Sequence, residues 1–106
     1  MIAVFNRLPV KEGAVEQVVE RFANSGGNVR GFPGFVSMEV LRSEGADEVL
    51  VITRWQDRGA FDHWVRSDEF KKAHRQGDGD LLRGHPQMST YEVAIECEPG
   101  SPGGLA

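Results

Sequence analysis

The chain switches between two hydrophobic periods, and the switches mark out its elements. Ile2, Val4, Asn6 and Leu8 fall on one face of an opening strand and Ala3, Phe5 and Arg7 on the other. Pro9, with no N–H for a ladder, ends it. The period then lengthens. Val15, Val18, Val19 and Phe22 recur at the spacing of one buried helical stripe, which predicts a helix from about Glu12 to Asn28, weakened near its end by Gly26 and Gly27.

After the turn Gly31-Phe32-Pro33-Gly34, a strand is expected over Phe35–Arg42, a hairpin loop over Ser43–Asp47, and a β-branched strand over Glu48–Trp55. Asp57 is placed to cap a second helix carrying Phe61, Trp64 and Val65. Ser67 is a fresh N-cap, so the helix breaks there and a short one follows from Asp68 to Arg75, with Asp68 and Glu69 favoured in its first turn. Residues 76–85 read as a flexible, glycine-bearing loop. A last strand is expected over Met88–Glu96, followed by a disordered tail at 99–106.

The order strand, helix, strand, strand, helix, strand is the split βαβ pattern of a ferredoxin-like α+β domain, one antiparallel sheet with helices on one face, here spanning residues 1–98. The other face is left bare. In the register read from the sequence it exposes Phe5, Val51, Trp55 and Val93, an apolar patch of the kind that marks a partner surface, and a two-fold homodimer joined sheet to sheet is the expectation.

Composition narrows the function. With 106 residues, 40% hydrophobic and 26% charged, the chain has the size and balance of one globular domain. A net charge of -4 argues against a nucleic-acid surface. No apolar run approaches the ~20 residues of a membrane span, and the N-terminus enters a strand without a signal-like leader. The single Cys97 has no partner for a disulfide or thiolate cage. These features point to a cytoplasmic protein.

The candidate chemistry lies in three places. Asn6 puts a carboxamide among apolar residues on the helix-facing side of the first strand, where it needs a partner or a purpose. Trp64 and His74 stand ten residues apart across the helix break. Singly, each has a plainer reading: a satisfied amide, a core indole, a surface histidine. Together, an imidazole able to ligate iron, a bulky flat face and one directed donor would suit a haem. Phe70 shares a helical face with His74, Arg75 is the first candidate for pairing with haem propionates through its planar fork, and Arg83 is the second. His63 and His85 match no zinc spacing and read as surface or structural residues, and no phosphate loop or nucleophile elbow is present.

Asn6, the stretch Phe61-Asp62-His63-Trp64 and the stretch Ser67-Asp68-Glu69-Phe70-Lys71-Lys72-Ala73-His74 resemble the motif regions of the IsdG-like haem-degrading monooxygenases, in the antibiotic-biosynthesis-monooxygenase superfamily. Pro33-Gly34-Phe35 and the Trp55 strand are shared across that superfamily. The resemblance covers about residues 2–96. It implies a dimeric α+β barrel in which each subunit holds one haem between its sheet and second helix. His74 is then the axial iron ligand, Asn6 a donor on the opposite side of the haem, Trp64 the residue that presses the porphyrin out of plane, and Phe22 a lining residue of that same pocket. Haem would be both substrate and oxygen-activating cofactor, with electrons from an external reductant or a reductase. Two other readings share the cleft: a cofactor-free monooxygenase of an aromatic polyketide or quinol, in which His74 has no ligand role, and a non-catalytic haem-binding dimer.

Overall fold

The computed structural model describes residues 1–25, 27–75 and 80–100, and the backbone alone at 25, 27–28 and 72–75. The elements are β1 Ile2–Pro9, α1 Val15–Ser25, α2 Gly27–Arg30, β2 Phe35–Arg42, β3 Glu48–Trp55, α3 Arg58–Val65, α4 Asp68–Arg75 and β4 Gln87–Glu92. Four antiparallel strands lie in the order β2-β3-β1-β4, the ferredoxin-like topology expected from the element order.

β2 and β3 have the expected bounds, and the helix break at Ser67 is present. α1 starts later than the apolar period suggests. Gly13 sits at φ 77, a left-handed conformation no helix interior accepts, and Ala14 N–H closes a tight turn on the Lys11 carbonyl at 3.0 Å. The helical stripe read from the sequence is real: Val18 is fully buried, and Val15, Val19 and Phe22 pack on the same cluster. At its far end Gly27 opens a separate short helix that buries Val29.

The face assignment of β3 needs correcting. Register pairs Ile2 with Trp55 and Asn6 with Val51, and residues paired across strands share a face. Val51 and Trp55 therefore lie under the helices, where both are buried, and not on the bare face. The bare face does carry Phe5, set edge-to-face against Tyr91 at 5.2 Å between ring centroids. With Arg7, Leu50 and Gln87 these rings line an open concavity of about 680 Å³. Val93 lies beyond β4, half-buried, its N–H bonded to the Met1 carbonyl at 3.0 Å.

The connection before β4 is also tighter than a flexible loop. Its residues 76–79 lie outside the described residues, as do residues 101–106 of the expected tail. From Asp80 onward the chain is anchored. Leu81 is buried in the core, its carbonyl accepts from Lys11 N–H at 2.8 Å, and Arg83 N–H donates to the Pro9 carbonyl at 3.0 Å. Among the described residues no helix is long and apolar enough to cross a membrane.

Two clusters fill the space between helices and sheet. One is aliphatic and lies under α1: Leu8, Val10, Ala14, Val18, Val49, Val51 and Leu81. The other, under α2, α3 and α4, is built around Val4, Val29, Trp55, Phe61 and Trp64. Gly34 seats α3 on the second cluster. Its φ of 83 and its lack of a Cβ let the turn before β2 meet Ala60, whose Cβ a side chain at position 34 would strike.

Candidate active site between the two core clusters

β1 runs under both clusters, with Val4 in the aromatic one and Leu8 in the aliphatic one. Asn6 falls between them on the same face. A strand rises ~3.3 Å per residue, so the carboxamide stands ~7 Å from Val4 along the strand. It is half-buried, and among the described residues no hydrogen bond engages its side chain. Nor is it a sealed orphan, since among the described residues no buried side-chain nitrogen or oxygen lacks a partner. Of the plainer reading, an amide satisfied by backbone or water, the backbone part finds no bond among the described residues.

Trp64 supplies the wall on the aromatic side. It reaches this position because Asp57 starts α3 where it does. The Asp57 carboxylate accepts from Ala60 N–H at 2.8 Å, and the cap residue has extended backbone angles. Trp64 comes one turn after Ala60 and packs against Phe32 at 5.1 Å, Phe70 at 5.9 Å and Trp55 at 6.2 Å between centroids. Trp55 is the floor of this nest: fully buried, flanked by Phe35 and Phe61, its Nε1–H satisfied by Thr53 Oγ1 at 3.0 Å. Such edge-to-face packing fixes ring orientation as well as burying area. The Trp64 indole is accordingly a rigid surface, and like Asn6 it has no hydrogen-bond partner among the described residues.

Ser67 ties this wall to α4. Its hydroxyl donates to the Trp64 carbonyl at 2.6 Å and accepts from Phe70 N–H at 3.1 Å, closing one helix and capping the next. α4 then carries Phe70 onto the aromatic cluster and runs on through His74 and Arg75. The side chains of His74 and Arg75 lie outside the described residues. His63 is exposed, as its helical position predicts, and rests on Phe32 at 5.2 Å; His85 is exposed as well. Among the described residues no group of three or more His, Cys, Asp or Glu side chains gathers around a metal-sized space.

The remaining expected residues sit toward the aliphatic end. Phe22 packs on that cluster. Arg83 is exposed, with its Nε–H given to the Val10 carbonyl at 3.1 Å, which leaves the terminal nitrogens of the fork. Asp80, an acidic neighbour of any propionate in this region, is turned onto α1. Arg21 donates to both its oxygens, at 3.1 and 3.3 Å, and these bonds hold the carboxyl below the ordinary carboxylate range. The sequence reading missed Phe32 and Trp55 as parts of the wall. Phe32 had one signal, a large aromatic just before a Pro-Gly turn, where nothing local requires it.

Residues 1–76 match the antibiotic biosynthesis monooxygenase family. The chain is 35% identical over 102 residues to a heme-degrading monooxygenase of Halalkalibacterium halodurans, covering 93% of this chain and 87% of the relative. It is 38% identical over 72 residues to a staphylobilin-producing heme oxygenase of Staphylococcus aureus, covering 66% of this chain and 67% of that one. In fold it is similar to the heme-degrader MhuD of Mycobacterium tuberculosis, solved with two hemes bound in its active site. The TM-score is 0.77 at 23% identity, over 92% of this chain and 100% of the other. The element order and sheet topology thus agree with a match over most of the sequence: the chain belongs to the antibiotic biosynthesis monooxygenase family.

Proposed function

We propose that the protein is a haem-degrading monooxygenase, which binds haem and uses dioxygen and electrons from an external reductant to open the porphyrin ring and release iron. One observation carries this reading: Asn6 is half-buried with no side-chain hydrogen bond among the described residues, on the helix-facing side of β1 between Val4, in the cluster that holds Trp64, and Leu8, in the other. A flat apolar ligand that needs one directed hydrogen bond fits that combination, and haem is such a ligand. Similarity over nearly the whole chain to a heme-degrading monooxygenase supports the choice of ligand.

In this scheme the bound haem supplies the oxygen-activating centre, and the chain supplies placement. Asn6 donates from its NH₂ toward the oxygen-binding side; being uncharged, it orients and does not transfer a proton. Trp64, packed on Phe32, Trp55 and Phe70, would press on one face of the macrocycle. His74 on α4 would ligate the haem iron; Phe70, one turn earlier on α4, and Phe22 on α1 would line the pocket, and Arg75 and Arg83 would pair with the propionates. The concavity around Phe5 and Tyr91 is the surface through which two copies form a homodimer. A reductase is the natural electron donor.

The test is a haem titration followed by turnover. A saturable Soret band is expected in the wild type and its loss in His74→Ala. With a reductant under air, and catalase present to remove free peroxide, the band should decay as iron is released. Asn6→Ala should keep the band and lose the decay. Absence of specific haem binding by the wild type ends this reading; normal turnover in Asn6→Ala ends the role given to Asn6.

A further inference from the structure

The helix-facing side of the sheet is covered unevenly. On β1 and β3 most of that side is covered: Val4 and Leu8 are each 4% exposed, and Val49 and Trp55 are fully buried, while Asn6 is half-buried. On β4, the outer strand next to β1, it is less covered: Met88 is exposed and Thr90 half-buried. Neither core cluster includes a β4 residue among those described. Met88 pairs directly with Asn6, so its side chain shares the Asn6 face. It is 61% exposed, although it is a long apolar residue on the side of the sheet where apolar residues are otherwise covered. The register places Thr90 next along the same strip, opposite Val4. Asn6 and Thr90, both half-buried, and the exposed Met88 thus form a strip along β1 and β4 that the helices cover only in part.

We propose that Met88 is a haem-contact residue which, with Asn6, fixes the lateral position of the macrocycle and so decides which of its bridging carbons is cleaved. This rests on the haem reading above. The chemistry is simple. An unbranched thioether adapts to an irregular apolar edge and loses little by doing so. Asn6 fixes one point of the ligand by a hydrogen bond and Trp64 fixes its tilt, but neither stops it sliding in its own plane. An apolar side chain beside the carboxamide, on the side away from the indole, is placed to stop that slide. Because a porphyrin has four bridging carbons, a small lateral shift changes which one lies nearest the oxygen side.

The experiment uses the full chain in three forms: wild type, Met88→Glu and Met88→Leu. Ferric haem is titrated without reductant, and the tetrapyrrole products are then separated by ring-opening position after turnover. Met88→Glu sets a carboxylate against an apolar edge and should weaken binding roughly tenfold or more. It should also shift the product ratio, while the melting temperature of the haem-free protein stays near wild type because position 88 is exposed. Met88→Leu should restore affinity and return most of the original ratio. Equal affinity and an identical product ratio in Met88→Glu and wild type overturn the proposal. A wild type that binds no haem is a different result: it overturns the haem reading itself, and the role of Met88 with it.

Discussion

The two clusters between helices and sheet do different work. The aliphatic one under α1 joins three strands, one helix and the anchored segment at Leu81 by Val, Leu and Ala side chains. Its residues interlock without directional demands, and its polar boundary is made of ion pairs at the surface, such as Glu16 with Arg42 and Asp80 with Arg21. The aromatic one under α3 and α4 is oriented: Trp55 below, Trp64 above, Phe32, Phe35, Phe61 and Phe70 around them, with most rings edge to face. Aliphatic packing holds a fold with little regard to direction, whereas aromatic packing also sets the angle of each ring. On the function proposed above, the difference accounts for a site that borders the second cluster. Stability can come from either, but a rigid wall comes only from the rings.

The strongest way to break the comparison is to remove one residue from each cluster. Trp55→Ala empties the floor of the aromatic nest and should cost about 3–5 kcal/mol by denaturant unfolding. Val18→Ala removes two buried methyl groups from the aliphatic cluster and should cost roughly 2 kcal/mol. The informative readout is haem affinity, measured under conditions where each variant is folded. Val18→Ala should bind as wild type does, while Trp55→Ala should bind worse because Trp64 has lost its support. If both variants bind equally well, the aromatic cluster is only a core and the distinction fails.

A smaller effect sharpens the same contrast at the junction of the helices. Ser67→Ala leaves every ring in place but removes the hydroxyl that caps α4 and ties it to the Trp64 carbonyl. Loss of one N-cap costs about 1 kcal/mol, so the melting temperature should fall only slightly. The orientation of α4, and with it the haem-binding strength, should suffer more, and Ser67→Thr should recover both. A fall in stability with no change in Soret titration would show that the junction holds the fold and not the site.

How far the sequence leads follows from the range of each signal. The caps at Asp57 and Ser67 were legible because a side-chain oxygen and an N–H three residues on settle them locally. β2 and β3 were legible because a turn signal bounds them on each side. The faces of Val51 and Trp55 were not, since they depend on how β3 registers against β1, through the long-range pairs Asn6 with Val51 and Ile2 with Trp55. Leu81 looked like part of a loop because the bridge from Val10 to Leu82 that holds it inside is likewise long-range. At the site, period alone put Asn6 on the helix side and Trp64 on the inner stripe. The nest that makes Trp64 rigid is a tertiary fact, made from Phe32 in a turn and Trp55 in a strand, and no local pattern contains it.

The smallest expected effect concerns the polar boundary of the aliphatic cluster. Hydrogen bonds from Arg42 to Glu16, and from Arg21 to Asp80, hold both carboxyls below their ordinary range in the folded chain. A carboxyl whose folded pKa is depressed binds fewer protons folded than unfolded. Its contribution is therefore complete above the unfolded pKa, ~4, and is lost as pH falls through the lower folded value. Both pairs are exposed, so solvent and salt screen them and the change should be slight. Melting temperature recorded from neutral pH downward should fall less steeply below ~pH 4 in Glu16→Gln and Asp80→Asn than in wild type, and high salt should narrow the gap. The aromatic cluster offers no counterpart: none of its members ionises, and its wall should keep its shape over the range in which these surface pairs let go. Near-ultraviolet circular dichroism of the tryptophans that stays constant while the melting temperature declines would establish that separation. A tryptophan signal that decays in step with the carboxyl titration would show instead that the two clusters are one.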